Sequence, residues 1–130
     1  MVWEMLVEGG ITRYMVVFHS QDADQVGPVR SARLSDLYYA PMLRAILAHV
    51  GASNPVIERV RAAAAAGEFI DLDEVSHEAS YTRVNFRSIP QNVYTSTARI
   101  RGTAGELAPV TVPALNRTCA TCRRSGPSTV

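Results

Sequence analysis

"AILAHVGASNPVIERVRAAAAAGEFIDL", residues 45–72, is where the architecture of this chain is written most plainly. Ser53 or Asn54 can cap a helix that has Pro55 at its first position, Val56, Ile57 and Val60 on one side, and Gly67 as its terminator. The alanine run at 62–66 lets such a helix lie close to a sheet. The preceding "AILAHV" is too short for periodicity to separate a buried strand from a helical turn. If it is a strand, then strand, helix and the short "EFIDL" strand make one parallel crossover unit.

Working outward, residues 2–7 and 11–18 are rich in Val, Met, Tyr and Phe and are separated by Glu8, Gly9 and Gly10, the pattern of a β-hairpin with a glycine turn. "SQDADQVGPV" reads as a polar loop closed by Gly27 and Pro28. Ser31 is placed to cap a helix over residues 32–40, with Asp36 in an early turn and Pro41 marking a boundary or a new start. Residues 73–96 are polar and turn-prone, and a last helix is expected from Thr97 to Arg101. The fold class expected is mixed α/β: an N-terminal hairpin packed with two or three helices on a small mixed sheet.

Composition narrows the function. The 130 residues suit one domain, and the apolar share of 47% suits a globular one. Thirteen basic residues, all of them arginine, face twelve acidic ones, so the net charge of +1 offers no field to draw in nucleic acid. No run approaches the ~18–20 apolar residues of a membrane span, and the N-terminus has no signal-peptide order, so a soluble chain is expected.

From Pro109 onward the apolar periodicity stops, and residues 109–130 read as an unstructured tail of the kind a frameshift or premature stop produces. That tail holds Cys119 and Cys122 at CxxC spacing. Neither the strand-then-helix context of a redox site nor a second ligand pair for zinc accompanies them, so neither metal nor cofactor is expected.

"EGGITRYMVVF", "GPVRSAR", "HVGAS" and "PQNVYTST", in this order and with these gaps, resemble the N-terminal domain of the YerB-like bacterial lipoprotein family, a family of uncharacterised domains. The resemblance covers roughly residues 2–101, which makes 1–108 a partial domain of this type. It implies an extracytoplasmic protein held at the membrane by a lipid. It also implies an earlier first strand, an export signal with a lipid-attachment cysteine, and a second domain, against which this sequence is expected to be an internal fragment. The family commonly has a His where this chain has Gln91, which cannot titrate.

Two groups of side chains could carry function. Glu4 and Glu8 are four apart, which on a regular strand points both to one face. Two such carboxylates are the minimum for acid/base cleavage of a polymer, with Glu8 as acid or base and His49, at the end of a central element, assisting. Their bland alternative pairs Glu8 with Arg13 across the hairpin. The second group is Arg13, Arg30 and Arg33, whose planar forks suit carboxylate, sulfate or phosphate, with Ser31 and the helix start behind it adding amides. Ser53, Asn92 and Tyr94 complete the expected ligand-binding set, Tyr94 as a platform for a sugar face. The expected ligand is anionic or a cell-wall glycan. An acid/base hydrolase or lyase, and a structural Glu/Arg network, are the alternatives.

Overall fold

The computed structural model describes residues 1–107. The expected tail at 109–130 and its cysteine pair lie outside these residues. Among the described residues the fold is mixed α/β, with three helices and three two-stranded sheets.

Its centre is the crossover unit. "AILAHV" is a strand: β3, Ile46–His49, pairs in parallel with β4, Ile70–Asp73, and helix α2, Asn54–Ala65, connects them. Their parallel pairing, Ile46 opposite Ile70 through His49 opposite Asp73, and the layers packed on both faces are what select strand here. Side chains alternate across the pair. Ile46, Ala48 and Val50 join Leu72, Tyr81, Val93, Val29 and Ile100 on one face. Leu47 faces the other way, into a cluster of Ala32, Ala40, Val56, Val60 and Phe69 beneath α2 and α1, Asp36–Leu43. Helix α3, Thr97–Leu107, covers the first face together with the short antiparallel pair β5, Thr82–Arg83, and β6, Val93–Tyr94.

The N-terminal hairpin forms as expected from β1, Val2–Val7, and β2, Ile11–Val16, around a 3-10 turn at Glu8–Gly10. Gly9 and Gly10 both have positive φ, 77° and 68°, which explains the glycine pair. Among the described residues these strands pair only with each other. Val2, Leu6, Tyr14 and Val16 line an exposed outer face, while Trp3 stacks on Tyr39 of α1 with ring centroids 4.8 Å apart.

Three helix boundaries differ from expectation. Helix α1 starts at Asp36 with Ser35 before it, not after a Ser31 cap. Residues 26–33 are instead a strap, several of whose amides and carbonyls are already committed. Val26 bridges Thr95, Val29 N–H donates to Val93 O, Val50 N–H to Arg30 O, and Ala32 N–H to Gly51 O. The strap therefore stitches β6 to the end of β3. Pro41, read as a boundary or a new start, sits inside α1, which ends two residues later at Leu43 and is capped by left-handed Arg44. Helix α3 runs on past Arg101 to Leu107 through two glycines, because buried Ala104 and half-buried Ile100 pack it onto the sheet and outweigh propensity.

Gly27 shows how tightly the strap is seated. A Cβ there would lie 2.5 Å from a ring carbon of Tyr94, so the position has no room for any side chain.

Candidate functional site

The C-terminal ends of β3 and β4 carry the polar centre of the molecule. On β4, "FIDLDE" alternates apolar and acidic residues, which puts Asp71 and Asp73 on the face that β3 fills with His49. His49 Nε2 lies 2.7 Å from Asp71 Oδ1, and Nδ1 lies 2.9 Å from the Gly51 carbonyl oxygen and 3.9 Å from Asp73 Oδ1. The imidazole is only 2% exposed, whereas Asp71 is 18% exposed and so forms the outward end of the pair. Asp73 in turn accepts hydrogen bonds from the backbone N–H of Gly51 at 2.8 Å and of Val75 at 3.3 Å.

Both ring nitrogens of His49 therefore face acceptors, an arrangement that only the imidazolium satisfies fully. Burial pulls its pKa down, but the Asp71 hydrogen bond, the Gly51 carbonyl and the charges of Asp71 and Asp73 outweigh it and hold the group above its ordinary value. The sign of the pH effect follows. A group with a raised folded-state pKa contributes stability that is complete below its unfolded pKa of about 6.5 and is lost as pH rises through the folded value. Urea midpoints measured from pH 6 to 9 are expected to fall across that window, and a flat profile would contradict the imidazolium assignment.

Above this centre lies the arginine group. Arg33 Nε is 3.0 Å from Glu8 Oε2, so the hairpin turn pairs with the strap and not, as the bland alternative had it, with Arg13 across the hairpin. Glu8 belongs to the 3-10 turn and not to the strand, while Glu4 sits on the outer face opposite Tyr14. The strand parity that would have aligned the two carboxylates therefore does not apply. Although the Arg33–Glu8 separation is short, the Nε–H is not aimed at the carboxylate. Arg33 Nε and Arg13 Nη1 are both buried atoms without a hydrogen-bond partner among the described residues. We weigh this contact as an ion pair alone, and a weak one, because the Glu8 side chain is 79% exposed.

Arg13, Arg30 and Arg33 come together. Burial, and then the charges of Arg30 and Arg33, depress the Arg13 pKa, with Glu8 and Asp36 opposing. Arg30 also reaches the Pro90 carbonyl through Nη1 at 3.0 Å, tying the strap to the loop before β6. Asp36 receives the Arg33 backbone N–H at 2.7 Å, and Arg33 Nη1 donates to Ala32 O at 3.2 Å. Burial pushes the Asp36 carboxyl up, offset by the Arg33 amide and by the charges of His49, Arg33 and Arg13. Asp36 thus bridges the two polar groups.

The remaining expected residues lie elsewhere. Ser31 is half-buried within the strap. Because α1 begins only at Asp36, no helix start stands behind Ser31 to add its amides. Ser53 is exposed at the start of α2 and makes no side-chain cap. Asn92 is buried and accepts from Arg83 Nη1 at 3.4 Å, and Tyr94 is buried against Gly27 and tilted onto Phe86. A buried ring in that setting is a packing element and not a sugar platform. Gln91 is exposed in the turn after Pro90. Sequence reasoning missed Asp71 and Asp73. Their signal was the acid alternation in a strand paired with a His-bearing strand.

The family described as "Protein of unknown function (DUF3048) N-terminal domain" matches residues 1–109. The chain belongs to this family. A Bacillus subtilis (strain 168) protein named "Putative lipoprotein YerB" is 36% identical over 104 residues, which span 79% of this chain and 30% of that protein. The crystal structure of YerB protein from Bacillus subtilis superposes with a TM-score of 0.71 at 31% identity, covering 82% of this chain and 36% of that one. The chain thus corresponds to about a third of the length of these relatives. Membership in a lipoprotein-bearing family, expected from the four sequence motifs, is borne out. No helix among the described residues is long and apolar enough to cross a membrane.

Proposed function

We propose that this domain is a binding module of a membrane-anchored extracytoplasmic protein, and that it holds an anionic ligand, such as an acidic cell-wall glycan, between the hairpin and the strap. The observation that carries this reading is that two buried guanidinium nitrogens, Arg13 Nη1 and Arg33 Nε, have no acceptor among the described residues, while the charges of Arg30 and Arg33 act on Arg13. Buried donors without partners are costly, and three guanidinium groups brought together repel. A bound carboxylate, sulfate or phosphate relieves both at once. The lipoprotein name of the Bacillus subtilis relative supports the location.

The hydrolase reading draws less support. Both nitrogens of His49 are occupied and the ring is enclosed, so it has no free position toward a substrate. Glu8 is solvent-exposed beside a guanidinium, not in the apolar enclosure a general acid uses.

Sulfate titrated by calorimetry at low salt provides the test. Saturable binding is expected, weakened about tenfold, or about 1.4 kcal/mol, by Arg33→Ala or Arg13→Ala, and weakened further by added sodium chloride. If both variants bind sulfate as the parent does and lose only thermal stability, the arginines form a structural network and the binding reading fails.

A further inference from the structure

The strap that carries Arg30 and Arg33 is held to the rest of the molecule by several backbone hydrogen bonds, and the last of them before Arg33 is made at the Gly51 carbonyl. Gly51 O accepts the Ala32 N–H at 2.9 Å and also faces His49 Nδ1 at 2.9 Å. Arg33 is tied to that point, because its Nη1 donates to Ala32 O and its backbone N–H to Asp36. The Arg30 carbonyl is fixed beside it by the Val50 N–H at 3.1 Å. Gly51 itself has a φ of 57°, a left-handed conformation that suits glycine, and its own N–H is held by Asp73 Oδ1 at 2.8 Å.

We propose that His49 is a positioning residue for the arginine site: its imidazolium holds the Gly51 carbonyl and with it the strap, so that losing the ring proton releases Arg33 and weakens anion binding. The proposal rests on the anion-binding reading above and adds its regulation. The steps follow from donor and acceptor counting. A neutral imidazole donates one hydrogen bond. Asp71 is the stronger acceptor because it is charged, so the remaining proton stays on Nε2. Nδ1 then presents a lone pair to the Gly51 oxygen at 2.9 Å, and the contact turns from a hydrogen bond into a repulsion. The carbonyl that moves away is the one that also holds Ala32.

The titratable groups around the ring act in a consistent direction. Asp71 and Asp73 from β4 face it directly, and Asp36 from α1 is close enough to interact with its charge. Arg33 on the strap is the cation nearest this set, bound through its backbone amide to Asp36. Tyr81, whose hydroxyl donates to Leu72 O at 2.5 Å, stands across the sheet and is pushed to a higher pKa by burial, so it stays neutral throughout. His49 is thus the group of this set placed to change charge near neutrality.

The experiment is sulfate affinity by calorimetry from pH 6 to 9 on the full chain, run beside the NMR titration of the His49 ring protons. Sulfate does not change charge in this range. Affinity is expected to fall about tenfold with a midpoint matching that of His49, and His49→Gln, which cannot titrate, is expected to bind weakly at every pH. Sulfate binding that stays constant while His49 titrates overturns the proposal and leaves the anion site standing. A His49→Gln variant that keeps the parent's pH profile also overturns it. Absence of sulfate binding at every pH removes the anion site itself. Should His49→Gln fail to fold, the paired curves of the parent chain still decide.

Discussion

Asp73→Ala is expected to destabilise the domain by about 3–5 kcal/mol, the range seen when one partner of a buried charged network is removed. Asp73 is 4% exposed, and the Gly51 and Val75 amides and the His49 imidazolium all look to it. Alanine strands two backbone donors and leaves a buried cation with less counter-charge. Set against the 5–15 kcal/mol that usually separates folded from unfolded domains, a loss of about 3–5 kcal/mol takes most of the margin at the low end of that range. Asp73→Asn provides the internal control. It keeps an acceptor for the two amides and loses only the charge, so it is expected to cost less than half as much and to lower the His49 pKa. Urea unfolding checks the first outcome and NMR titration the second. If both variants cost the same, hydrogen bonding to the amides contributes little and the charge dominates.

Leu72→Ala is the second large effect, expected at about 3–5 kcal/mol from lost transfer energy plus the cavity left behind. Leu72 has no exposed surface and sits between Asp71 and Asp73, pointing to the opposite face, where Tyr81 and Val93 enclose it. The Leu72 carbonyl also accepts the Tyr81 hydroxyl, so the backbone there is held from the same side. Because the aspartates point away, His49 chemistry should survive at low temperature even as stability collapses. Equilibrium unfolding with an unchanged m-value and a strongly lowered midpoint is the expected record. A cost under 1 kcal/mol would mean that β4 repacks freely and is not the centre of this layer.

How far the sequence spoke depends on the residue considered. The hairpin was legible because Gly9 and Gly10 have no reading other than a turn, and α2 because Pro55 and Gly67 mark both its ends. The crossover was legible only as a condition. "AILAHV" has no period that excludes a helix, and its strand identity comes from pairing with β4 twenty-odd residues away. Helix α1 was misplaced because Ser31 carries the right chemistry for a cap while its neighbours are claimed by Val93 and Gly51, partners that no local pattern announces. The arginines were picked out by type, and the charges of Arg30 and Arg33 do act on Arg13. Their counter-ion was mispaired, since Arg33 reaches Glu8 only through the docking of the hairpin on the strap. Tyr94 looked like a ligand platform because a Tyr in a polar stretch is ambiguous until Gly27 is seen beneath it. Asp71 and Asp73 were visible but unread, since an acid is assigned to solvent unless something opposite is known to receive it.

The hairpin meets the body through the Trp3–Tyr39 stack and a solvent-facing ion pair, yet it supplies one of the three guanidinium groups. Docking of this arm and occupation of the site are therefore linked equilibria. Any anion that engages Arg13 together with Arg30 or Arg33 binds only the docked arm, and by mass action it must hold that arm in place. The reverse follows by the same linkage: whatever binds the free edges of β1 or β2 and pulls the arm away lowers affinity for the anion by the same factor by which the anion lowers its own. A strand added to this edge by a neighbouring protein could thus empty the site without ever touching it.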